Sequence, residues 1–158
     1  MKRGRKSGYF VNILVAEGVG LFSGLLSGDI KSEYEGLNQP VFSPPFWVFA
    51  AAWVALFACM GIAITIIAQS VNVRPEEKGQ ATVLYMAQLF VFFWWPILFF
   101  RGQYFFVSLL FIILLDLLVT LAISSFKHIE HKAALFMAPY LLWILFATYF
   151  NLGTALLN

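Results

Sequence analysis

The chain has 158 residues, of which 61% are hydrophobic and 11% charged, with a formal net charge of +2. Soluble domains carry about 25% charged residues, and a chain this short cannot fold so much apolar surface away from water, so the excess must face lipid. No basic patch suited to nucleic acid stands out. The single cysteine, Cys59, lies in an apolar run and can form neither an intrachain disulfide nor a zinc site.

Five charge-poor stretches follow one another, at 9–28, 44–69, 80–100, 104–125 and 133–156. A helical crossing needs about 20 mainly apolar residues, so each stretch supplies one crossing and none supplies two. The runs are solidly apolar rather than alternating, which excludes a barrel pattern. Helices are the form in which a backbone satisfies itself in lipid. The sequence therefore predicts an all-α bundle of five transmembrane helices, forming one domain over 1–158.

The first run follows Lys2, Arg3, Arg5 and Lys6, as a secretory signal would. It exceeds the roughly 7–15 apolar residues of such a signal, and it reads as the first span. In the segment that follows, Asp29, Glu33 and Glu35 make an acidic loop. Ser43 before Pro44 and Pro45 reads as a helix N-cap with a proline first turn. Pro75, followed by Glu76 and Glu77, marks another helix start. Pro96 and Pro139 fall inside spans, where each removes a helical donor and predicts a kink.

The basic residues set an orientation. Lys2, Arg3, Arg5, Lys6, Arg74, Lys78, Lys127 and Lys132 fall on one side of the five spans, and Lys31 and Arg101 on the other. Eight against two places the N-terminus in the cytoplasm and the C-terminus outside.

Two acids lie within spans, Glu17 in the first and Asp116 in the fourth. An ionisable group at membrane depth is a candidate proton or substrate relay. It also serves as a protonated or hydrogen-bonded contact between helices. No basic residue lies at matching depth to pair with either. His128 and His131 stand three apart in the fourth loop, on one face if that loop is helical. They suit a haem or metal ligand pair, or a plain solvated loop. There is no phosphate-binding glycine loop and no nucleophile elbow, so no catalytic residue and no metal ligand is assigned.

Aromatic residues make up 18% of the chain. Trp and Tyr collect at membrane interfaces and Phe faces lipid, yet Trp53 and Trp143 lie too deep in their spans for an interfacial belt. Tryptophans facing the inside of a bundle suit a flat, apolar, conjugated ligand.

The segment from Tyr34 to Trp53 resembles the signature of the tryptophan-rich sensory protein family, TspO, whose mitochondrial members are the translocator protein or peripheral benzodiazepine receptor. Pro40, Pro44, Pro45, Trp53, Met60 and Gly61 stand in register with it. In the third span Gln88, Leu89, Trp95, Phe99 and Phe100 match the family's pattern. In the last span Pro139, Tyr140, Trp143, Ala147 and Asn151 do so, with Asn158 at the end.

The resemblance implies a five-helix bundle, often dimeric, that binds tetrapyrroles such as protoporphyrin IX and haem. It implies a ligand pocket beneath the first loop, lined by Tyr34, Pro44, Trp53, Phe57, Phe92, Trp95, Trp143 and Ala147, with Asn151 nearby. Porphyrin or haem enters as ligand, and no cofactor is required. A sensing or regulatory role in porphyrin metabolism follows, in a prokaryotic cytoplasmic membrane. The alternatives are light-dependent porphyrin breakdown, with Trp53 and Trp143 as redox-capable indoles, and small-molecule transport using Glu17 and Asp116. The chain departs from the family pattern at Gln39, Phe42 and Phe92, where the family carries a basic residue, Trp and Asn. No Lys or Arg follows Tyr149, so the tail lacks the sterol motif of mammalian members.

Overall fold

The computed structural model describes residues 2–158, with side chains from Ser7 onward. The chain forms α1 (Lys2–Leu26), α2 (Ile30–Gly36), α3 (Phe46–Gln69), α4 (Pro75–Pro96), a π-helical turn (Ile97–Arg101), α5 (Phe105–Ile129) and α6 (His131–Leu157). Five of these, α2 excepted, are long and apolar enough to cross a membrane, the fourth helix counting through Arg101. No strand occurs among the described residues. The side chains of Lys2, Arg3, Arg5 and Lys6, on which much of the predicted orientation rests, lie outside the described residues.

Helices α1, α3, α6, α5 and α4 pack in that order around a ring. The most extensive pairings are α5 with α6, α1 with α3 and α4 with α5, while α1 closes more loosely on α4. The close approach of α1 to α3 depends on Gly61, where an added Cβ would lie 2.5 Å from the Ile13 Cα. Asn12 Nδ2 also donates to Thr65 Oγ1 across this pair, at 2.9 Å. In lipid such hydrogen bonds and small-residue contacts replace the hydrophobic drive as the cause of helix association.

Several local expectations are revised. The acidic first loop contains a helix, α2, opened by Gly28 at φ +84 and capped by Asp29, whose carboxylate accepts from the Ser32 N–H at 3.2 Å. Ser43 is not the cap of α3. That helix starts at Phe46 behind an extended Pro45, and the Ser43 hydroxyl donates to the Pro40 carbonyl instead, at 2.7 Å. The reason is that a proline disfavours the helical region for the residue before it and offers a cap no N–H. Pro75 does open α4, with Glu76 and Glu77 in the first turn. At Pro96 the helix widens into the π-helical turn, in which the Gly102 N–H reaches back to the Ile97 carbonyl at 2.9 Å.

The fourth loop is almost absent. Helix α5 runs to Ile129 and α6 begins at His131, leaving only the extended Glu130 between them. His128 and His131 therefore sit on two helices and share no helical face.

The loop between α2 and α3 is tied to the end of α6. Asn158 Oδ1 accepts from the Asn38 N–H and Asn158 Nδ2 donates to the Asn38 carbonyl, each at 3.0 Å. The Tyr149 hydroxyl donates to the Val41 carbonyl at 2.6 Å.

Candidate functional site

A cavity of about 630 Å³ lies between α1, α3 and α4, beside the loose α1–α4 seam. Its volume falls within the roughly 300–1,000 Å³ of small-molecule sites. On the α3 and α4 sides the wall is aromatic, built from Phe49, Trp53, Phe57, Phe92, Trp95 and Phe100. Helical spacing explains the set. Phe49, Trp53 and Phe57 recur every fourth residue on α3, and Phe92 and Trp95 lie three apart on α4, so each group occupies one face. The rings hold one another. Trp53 and Phe92 lie 4.8 Å apart between centroids, Phe57 and Phe92 meet edge-on at 4.9 Å, and Trp53 and Trp95 lie 6.0 Å apart.

The α1 side of the wall is built from small and aliphatic residues, among them Gly18, Gly20, Leu21 and Gly24. Gly20 admits the ring of Phe57, since an added Cβ would lie 2.4 Å from Phe57 Cε2. Glu17 is part of this wall and is its one ionisable side chain.

The nine residues expected at the pocket divide. Trp53, Phe57, Phe92 and Trp95 line the cavity. Tyr34 and Pro44 lie at its roof rather than in its wall. The Tyr34 hydroxyl donates to the Pro44 carbonyl at 2.7 Å, and its ring packs on Phe46 and Phe49, which do line the cavity. Tyr34 is buried, and this pushes its phenol up to about 12.

Trp143 stands behind the wall. Its ring meets Trp53 edge-on at 6.3 Å and Phe49 at 6.1 Å, and its indole N–H is buried with no partner among the described residues. Ala147 is buried in α6 away from the cavity. Asn151 holds the wall from outside. Its Oδ1 accepts from Trp95 Nε1 at 2.9 Å and from the Ser108 hydroxyl at 3.0 Å, while its Nδ2 donates to the Phe105 carbonyl at 2.9 Å.

Sequence reasoning missed the contribution of α1, although one signal was present: Glu17 is an acid inside an apolar span. The other acid within a span, Asp116, has a structural partner. Its Oδ2 accepts from the Thr148 hydroxyl at 2.7 Å, joining α5 to α6. Phe42, which stands where the family carries Trp, is 86% exposed at φ +69 and takes no part in the cavity. Among the described residues no three His, Cys, Asp or Glu side chains gather as a metal site.

The TspO/MBR family model matches residues 11–157. The chain is 39% identical over 129 residues to the tryptophan-rich protein TspO of Archaeoglobus fulgidus, covering 82% of each chain. It is 32% identical over 151 residues to the tryptophan-rich sensory protein of Cereibacter sphaeroides, covering 94% of this chain and 90% of the relative. It is 27% identical over 139 residues to the human translocator protein, covering 87% of this chain and 82% of the relative. With a family model matched over nearly its whole length and five helices long and apolar enough to cross a membrane, this chain belongs to the TspO/MBR family and is an integral membrane protein.

Proposed function

We propose that the cavity binds tetrapyrroles, protoporphyrin IX and haem among them, and similar flat hydrophobic ligands. The observation that carries this reading is the wall of Trp53, Phe57, Phe92 and Trp95 around about 630 Å³ of space. Aromatic faces stack on a flat conjugated ring, and each such contact adds about 0.5–1.5 kcal/mol beyond area burial. The name of the Cereibacter sphaeroides relative, a tryptophan-rich sensory protein, supports a sensing or regulatory role, which with a tetrapyrrole ligand would lie in porphyrin metabolism. The protein would act as a homodimer in a prokaryotic cytoplasmic membrane, with its N-terminus inside. The test is a titration of the purified protein with protoporphyrin IX, followed by tryptophan quenching. Saturable quenching that Trp53→Ala weakens supports the reading, and linear, non-saturating quenching overturns it. Illumination of the complex separates binding from breakdown, since breakdown bleaches the porphyrin spectrum and yields a product.

A further inference from the structure

Glu17 is the one ionisable group in the cavity wall, and among the described residues it has no hydrogen-bond or ion-pair partner. It lies near the middle of the span Ser7–Leu26, so its carboxyl sits deep in the apolar layer. A carboxylate at such depth is costly unless something supplies a donor or a positive charge. Asp116, the other acid within a span, obtains a donor from Thr148. Glu17 obtains none from any described residue. The remaining cavity wall offers no cation either, being aromatic, aliphatic, proline and glycine. The space that Glu17 faces is the ligand's own.

We infer that Glu17 is a specificity residue that, among flat apolar ligands of similar shape, favours those carrying a protonated amine over uncharged ones, its carboxylate meeting the ammonium or N–H in a charge-assisted hydrogen bond. Ligands without an amine, tetrapyrroles included, rely on the aromatic wall. The inference rests on the reading of the cavity as the ligand site. The aromatic wall takes the flat body of the ligand and stacks on it. The opposing α1 wall is bare at Gly18, where an added Cβ would meet nothing within 4 Å, and this leaves room for that body beside the residue that carries the carboxyl. Recognition then combines a tolerant apolar surface with one polar anchor, the usual division of labour in small-molecule sites.

The experiment compares two probes of nearly the same shape at neutral pH, in a neutral detergent that gives the cation no surface charge to bind. Acridine is the uncharged tricycle and 9-aminoacridine the cationic one. Quenching of protein tryptophan reports binding. Wild-type protein should bind 9-aminoacridine roughly tenfold more tightly than acridine, the value of one hydrogen bond to a charged group. Glu17→Gln, which keeps the shape and removes the charge, should bring that ratio close to one. Glu17→Asp should retain much of it, and Asp116→Asn should retain all of it. An unchanged ratio in Glu17→Gln, or no preference in the wild type, overturns the inference. Saturable binding of acridine without a preference sinks the role of Glu17 alone. Failure of both probes to bind sinks the cavity as a ligand site as well.

Discussion

Trp95 and Asn151 are each other's partners. The indole N–H on α4 donates to the amide oxygen on α6 at 2.9 Å, and both side chains are buried. The same amide oxygen accepts from Ser108, and the amide nitrogen donates to the Phe105 carbonyl. One side chain thus ties α6 to α4 and to the start of α5, and fixes the plane of an indole in the cavity wall.

Asn151→Ala therefore removes three hydrogen bonds at once. A loss of about 1–2 kcal/mol is expected, since interhelical hydrogen bonds in membranes contribute on the order of 1 kcal/mol each and do not add fully. Thermal unfolding in detergent measures it. In a double-mutant cycle with Trp95→Phe the two changes should be non-additive. Strict additivity would mean that the 2.9 Å contact contributes no stability.

The three tryptophans near the site should separate. Trp53 lines the cavity, Trp143 stands behind it, and Trp94 is 41% exposed on the far side of α4. Trp53→Ala removes a stacking face and a large apolar area, and should weaken porphyrin binding by more than about tenfold. Trp143→Ala should weaken it less, through a loosened Trp53. Trp94→Ala should leave it close to wild type. Titration of the three variants, each checked for helicity by circular dichroism, decides the order. A larger loss at Trp94 than at Trp53 would put the ligand elsewhere.

Tyr34 should contribute to alkaline lability. Its phenol is raised from the ordinary 10 to about 12 by burial, so between those values the folded protein holds a proton that the unfolded chain has released. Stability from this group is complete below about pH 10 and falls as pH rises towards 12. Tyr34→Phe should flatten that part of the profile, while costing the hydrogen bond to the Pro44 carbonyl at neutral pH. Melting temperature measured from pH 8 to 12 in both proteins is the check. Identical slopes would show that Tyr34 is ionised with equal ease in both states.

Gln88 should tolerate loss of its polarity. It is fully buried on α4, and among the described residues neither amide atom has a hydrogen-bond partner. An unsatisfied buried polar group is a cost that an apolar side chain of similar shape removes. Gln88→Leu should leave the melting temperature unchanged or raise it, by up to about 1 kcal/mol of stability. A fall of several degrees would show that the amide is bonded in the bilayer-embedded protein.

The orientation can be tested without the ligand. Lys78, Lys127 and Lys132 lie at one end of the bundle, and Lys31 and Arg101 at the other with Asn158. A reporter fused after Asn158 should be active only if it works outside the cytoplasm. A cytoplasmic reporter signal would invert the proposed orientation.

Hydropathy along the chain determined the number of spans and their order, because lipid rewards apolar length whatever the partners are. The motifs around Pro40–Trp53, Gln88–Phe100 and Pro139–Asn151 determined the family, because they lie in the right order over most of the chain. Tertiary structure alone decided which faces meet. In a soluble helix the polar face marks the outside, but here lipid and protein interior are both apolar, so Trp53 in the cavity wall and Trp143 behind it look alike in sequence. It also decided that Asn151 bonds Trp95 instead of facing a ligand, that α2 folds within the acidic loop, and that Glu130 alone separates the last two helices. The placement of Glu17 belongs to the same class. Its carboxyl was visible as an acid in an apolar run, but only the packing of α1 across α3 and α4 gave it a cavity to face.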